Sequence, residues 1–180
     1  MTAHRIIDVV GAAELTWTPP DHAVFVAVGG SRRRGSEADR EQVMLACAER
    51  LERPDGRLVV FVSGGCPQGA DRHVELFVEA AGLTLVRFLP ALAPEGAPHW
   101  LRTGLLHARN TRVVSLGHEL LAQVADDRTG GTEDAVKKAH RLGRPVTLLR
   151  SDGACVLEHP PVSKRRRGVV SSTKKQEAQR

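Results

Sequence analysis

Two hydrophobic rhythms alternate along the chain. Short, mostly apolar runs recur at residues 23–28, 58–62, 84–89, 119–125 and 145–149. Runs of that length, rich in β-branched types, read as strands buried on both faces. Between them the apolar spacing changes to i, i+3, i+4 and i+7, one inward face of a helix. Val43, Met44, Cys47, Ala48 and Leu51 make one such stripe, and Val74, Phe77, Val78 and Ala81 another. A third helix starts near His99 and runs through Leu105, Leu106 and Ala108 to Val113 or Val114. A fourth turns Ala135, Val136 and Ala139 inward. Local punctuation agrees. Ser36 with Asp39 three residues on is a weak capping box, Pro54-Asp55-Gly56 a turn, Gly82 a helix C′ residue, and Gly117 and Gly143 are stops. Residues 90–98 hold Pro90, Pro94, Pro98 and Gly96 and read as loop.

Strands that alternate with helices imply right-handed βαβ units and a mainly parallel sheet. The predicted fold is α/β, doubly wound, with five or more strands and helices on both faces. Residues 23–150 form the domain. Residues 1–22 are an N-terminal extension in which 5–10 reads as an edge strand. Beyond Ser151 order is expected to fade into a basic tail, 151–180.

Three of the predicted strands end in polar or glycine-bearing loops. The first is Gly29-Gly30-Ser31-Arg32 with Arg33-Arg34-Gly35. The second is Ser63-Gly64-Gly65-Cys66-Pro67-Gln68-Gly69-Ala70-Asp71, and the third is Asp126-Asp127-Arg128-Thr129-Gly130-Gly131-Thr132. In open α/β sheets a ligand binds at the carboxyl ends of the strands, where the strand order reverses. A glycine loop at a helix N-terminus offers backbone N–H groups to an anion. The same loop is equally a tight turn, and no Walker or GxGxxG spacing is present. Three loops on one rim point to a small-molecule site there.

Composition narrows the partners. The 180 residues are 41% hydrophobic, with a formal net charge of +5. That charge is not evenly spread. Lys164, Arg165, Arg166, Arg167, Lys174, Lys175 and Arg180 stand against Glu177 alone; removing them from 26 basic and 21 acidic residues leaves 19 against 20. The body is about neutral, so any contact with nucleic acid is expected through residues 164–180. No apolar run has membrane-spanning length, and no secretory leader pattern opens the chain, so a cytoplasmic location is expected. Cys47, Cys66 and Cys155 make no paired framework, in keeping with a reducing compartment. The eight histidines form no HxH or HExxH pattern, so no metal is implied.

In order along the chain stand Gly30-Ser31-Arg32, Gly64-Gly65 with Gly69-Ala70-Asp71, Arg109-Asn110 on a helix, and Gly130-Gly131-Thr132 with Asp134. This set resembles the SLOG superfamily over residues 24–149. That Rossmann-like group includes LOG phosphoribohydrolases, the DNA-processing protein DprA and YspA-like proteins; the resemblance is to the YspA-like branch in particular. It implies a Rossmann-like domain that takes a nucleotide or nucleotide-derived ligand as sensor or carrier, without a further cofactor. A homodimer is left open, since relatives often pair. In LOG enzymes an arginine on the helix and a glutamate after the second glycine loop cleave an N-glycosidic bond. The arginine corresponds to Arg109. The glutamate position falls on Ala135, so Glu133 or Asp134 would have to supply the carboxylate.

Each candidate carries two readings. Gly64, Gly65, Gly69, Gly130 and Gly131 either cradle phosphate or merely turn the chain. Ser31 and Arg32 could hold a phosphate, while Arg33 and Arg34 could be a solvated charge run. Asp71 either meets a ribose hydroxyl or complements its helix dipole. Thr132 doubles as a helix N-cap. Asp126 and Asp127 read as a solvated loop before a metal or acid role. Cys66 could be a nucleophile lowered by helix N–H groups. Arg109 is expected at the margin of its helix, facing either solvent or a ligand anion.

Overall fold

The computed structural model describes residues 5–52 and 54–160. The basic segment 164–180 lies outside them. The elements in order are β1 (Arg5–Val10), β2 (Val24–Gly30), α1 (Glu37–Leu51), β3 (Val59–Ser63), α2 (Ala70–Ala81), β4 (Thr84–Leu89), α3 (His99–Leu116), β5 (Glu119–Gln123), α4 (Gly131–Arg141), β6 (Val146–Leu149) and β7 (Cys155–Glu158). They build one seven-stranded sheet in the order β1-β4-β3-β2-β5-β6-β7. All neighbours are parallel except β6 and β7. The fold is α/β and consistent with a Rossmann-like, doubly wound arrangement.

Alternation along the strands makes two cores. Val24, Val26 and Val28 of β2 face one way with Phe61, Val43, Cys47, Val74 and Phe77. Phe25 and Ala27 face the other way with Val60, Val62, Val113, Val114 and Val136. Helices α1 and α2 pack together on the first face, and α3 and α4 on the second. A strand covered on both sides has no polar face to show, which is why β2, and β3 up to Val62, carry no polar side chain. Residues 90–98 are loop, as their prolines predict.

The ends follow local chemistry. Ser36 caps α1 and Asp39 returns the bond, the predicted capping box. Gly82 ends α2 in the left-handed conformation, φ 66°. Two stripe positions differ from expectation: Leu51 and Ala81, each the last residue of its helix, are exposed. Thr132 is not the N-cap of α4; Gly130 is, one turn boundary earlier, and Thr132 is buried within the helix.

Both flanks join the sheet. β1 pairs along its length with β4, the predicted edge strand. Asp8 is held there by two hydrogen bonds from Arg87, at 2.6 and 2.7 Å. Past Ser151, order does not fade at once. Residues 151–153 turn the chain, with Gly153 at φ 85°, and β7 runs back antiparallel to β6. Its side chains are largely exposed, so it lacks the apolar run that marks the inner strands. Among the described residues no helix is long and apolar enough to cross a membrane.

Candidate functional site

The chain passes from β2 through β3 to β4 on one side, then returns to place β5 on the other side of β2. The carboxyl ends of β2 and β5 therefore diverge into different loops, and a crevice opens between them. A cleft of about 840 Å³ lies there. Its wall includes Gly30, Ser31 and Arg32 from the first loop and Gly64, Gly65 and Asp71 from the second. Arg109 and Asn110 come from α3, and Gly130, Gly131 and Thr132 from the third loop. Fold topology thus brings these residues to one wall, together with Arg33 and Cys66; Gly69, Glu133 and Asp134, also expected at the site, are not part of it.

The glycines do different jobs. A Cβ on Gly30 would sit 2.8 Å from the Cβ atoms of Ala70 and Gln123, so this glycine lets α2 and β5 close on β2. Gly69 is the N-cap of α2 at φ 66° and ψ −152°, and Gly130 the N-cap of α4 at φ 88° and ψ −158°. That region is open essentially to glycine alone. Neither cap supplies a side-chain hydrogen bond, so both helix starts keep backbone N–H groups and positive dipole ends toward the loop side.

Gly64 makes room for Arg109. A Cβ there would fall 1.2 Å from Arg109 Nη1 and 2.3 Å from its Cζ. The guanidinium crosses from α3 over this gap to lie 3.6 Å from Asp71, and only 12% of the side chain is exposed. Arg109 is therefore well inside the margin expected for it. Its Nε is buried and has no hydrogen-bond partner among the described residues. Asp71 is buried too and accepts a hydrogen bond from Gly64 N–H at 3.1 Å. Burial pushes its carboxyl above the ordinary carboxylate value, against the pull of Arg109 and of the Gly64 and Cys66 backbone. Asp71 is the one carboxylate on the cleft wall among the described residues.

The three successive arginines separate completely. Arg32 is exposed and lines the cleft. Arg33 reaches across to the third loop and makes two 2.8 Å bonds to Asp127. That contact holds the Asp127 carboxyl down at about 2. Arg34 is no solvated charge. It is buried, pairs with Asp39 at 2.5 Å, and donates to the carbonyls of Val124 at 2.8 Å and Leu149 at 3.2 Å. It ties off the carboxyl ends of β5 and β6, satisfying the Val124 carbonyl and adding a second donor to that of Leu149. Asp126 bonds to Ser151.

The two acids expected to supply a catalytic carboxylate are engaged elsewhere. Glu133 pairs with Arg128. Asp134 accepts from Lys138 at 2.6 Å and lies 2.8 Å from His107 Nδ1. Both sit in the first turn of α4, where the macrodipole favours acids. Asn110 Nδ2 donates to the Gly131 carbonyl at 3.2 Å and ties α3 to the third loop. Cys66 is half-buried on the wall.

Sequence reasoning passed over His107, which also lines the cleft. Its signal was available: it precedes Asn110 by three residues, so the two share one helical face. Arg34 gave no comparable sign, because its partners are backbone carbonyls from two distant strands. The chain matches no protein-family model, no curated protein and no solved structure.

Proposed function

We propose that this protein binds a nucleotide or nucleotide-derived anion in the switch-point cleft, as a sensor or carrier of the SLOG type. The observation that supports this most is the meeting of three strand-end loops and Arg109 on one wall. Two glycine-capped helix starts add backbone donors and positive dipole ends to those loops. Anionic groups are favoured where such donors gather. The apolar part of the wall, including Leu106, Val113 and Leu120, suits a base or other flat apolar moiety.

Calorimetric titration of the full chain with nucleoside mono-, di- and triphosphates, dinucleotides and nucleotide sugars tests the reading. Saturable binding that weakens in Arg109→Ala is expected. Well-folded protein that binds no member of the panel would sink it. The N-glycosidase alternative needs a carboxylate beside the sugar; with Glu133 and Asp134 off the wall, Asp71 would have to supply it. Free base released from AMP, and lost in Asp71→Asn, would favour that alternative over a sensor or carrier.

A further inference from the structure

One cleft residue, with a partner just behind the wall, is left unused by ligand binding. His107 lies on α3, lines the cleft, and is 43% exposed at its side chain. Its Nδ1 is 2.8 Å from Asp134 Oδ2. The same carboxylate oxygen accepts from Lys138 Nζ at 2.6 Å, and Nζ also donates to the His107 carbonyl at 2.8 Å. Lys138 thus fixes the carboxylate against the backbone of the histidine it meets. Burial raises the Asp134 carboxyl, but the bonds from Lys138 and His107 outweigh it and hold the group below its ordinary range. An ionised acceptor at Nδ1 selects the tautomer with its proton there. The Nε2 lone pair is then free, and no bond to Nε2 is made among the described residues. This is the base-and-orienter half of a nucleophile-activating triad.

Its place in the cleft says what it would act on. Asn110, on the same helical face one turn along, touches Gly131 at the start of α4. An anion received by that helix start would lie beside the imidazole.

We propose that His107, oriented by Asp134, is a general base that activates water against a phosphoryl group of the bound nucleotide, making the protein a phosphohydrolase. The proposal rests on the nucleotide-binding reading above. Nε2 takes a proton from water as the water oxygen bonds to phosphorus. The bond from phosphorus to the leaving oxygen breaks on the opposite side, that oxygen takes any proton it needs from solvent water, and the imidazolium releases its proton to solvent. Water is the sole co-reactant, and no group is oxidised or reduced.

The test uses the full chain with AMP, ADP and ATP, following inorganic phosphate release beside calorimetric binding. Steady release is expected from the wild type. His107→Gln should lower kcat by about 10²–10⁴-fold, with KM and Kd held within about threefold. Asp134→Asn, a positioning change, should lower kcat at constant KM. Nitrogen-15 spectra of the wild type report the tautomer without any substitution, and protonation at Nε2 rather than Nδ1 overturns the assignment. So does wild-type turnover in His107→Gln, release of free base in place of phosphate, or nucleotide binding with no phosphate release. That last result leaves the binding reading standing, whereas absence of both binding and release removes the two together.

Discussion

Arg109 depends on an atom that is absent. Gly64 lacks the Cβ that would fill the seat of the guanidinium, so Gly64→Ala should act on the ligand through Arg109. A lone Cβ displaces the flexible end of Arg109 and separates it from the buried Asp71, so some stability is lost along with the affinity. Arg109→Ala should weaken nucleotide binding by about 1.5–3 kcal/mol, the worth of a hydrogen bond to a charged group. Arg109→Lys should recover part of it, since an ammonium lacks the planar fork. Titrations of the three variants check this, and full affinity in Gly64→Ala would show that Arg109 needs no such seat. Asp71 gives a second prediction. Its carboxyl is raised in the folded protein above the ordinary value of 3.8. Between the two values the native state holds a proton that the unfolded chain has released, so stability falls as pH rises through that window. Asp71→Asn should flatten the fall in urea unfolding measured from pH 4 upward. An unchanged slope would mean that another group sets it. Asp71 was legible as a first-turn acid; its burial was not, because that depends on an arginine 38 positions later in the chain.

Among the elements, the helix starts and strand ends decide what the loops can do. Gly69 and Gly130 share one unusual backbone conformation, but only Gly69 also meets a neighbour, with Ser31 O at 2.6 Å from an added Cβ. Gly130→Ala should therefore cost on the order of 1–3 kcal/mol from strain alone. Gly69→Ala should cost more, since the first loop must retreat. Chemical denaturation of both variants gives the order, and equal losses would remove Ser31 from the account. Arg34 predicts a larger effect. Arg34→Ala strips a mostly buried carboxylate, Asp39, of its partner and leaves the Val124 carbonyl without its donor, at about 3–5 kcal/mol. A loss under about 1 kcal/mol, the level of an exposed pair, would mean that solvent reaches the clamp. Helix caps of the Ser36 kind could be read ahead because both partners lie within four residues. The Arg34 clamp could not, since Val124 and Leu149 meet it only when β5 and β6 lie side by side.

For the whole molecule, the sheet order sets where the cleft lies, and the charge distribution sets what else the chain can touch. The body is close to neutral, and the basic excess belongs to residues 164–180. A chain ending at residue 160 should keep the nucleotide affinity of the full chain. It should lose any DNA retention, together with the steep salt dependence that phosphate contacts impose. Retention that survives the truncation would place a nucleic-acid surface on the folded body.

What this sequence determines by itself is the α/β architecture and the rim on which the loops gather. Apolar runs of strand length, helical spacing between them and glycines at the junctions are local signals, each carried within about ten residues. Strand–helix alternation turns them into a parallel sheet because βαβ crossovers have one hand. Tertiary structure alone decided which charges are buried and with whom. Arg32, Arg33 and Arg34 are adjacent in the chain, yet the first is exposed on the cleft wall, the second bridges from that wall to Asp127, and the third is sealed at the carboxyl ends of two strands. Glu133 and Asp134 likewise turn to Arg128, Lys138 and His107 and do not themselves line the cleft. A charged side chain goes where its desolvation is compensated, and those compensating groups come from segments that only the fold brings together.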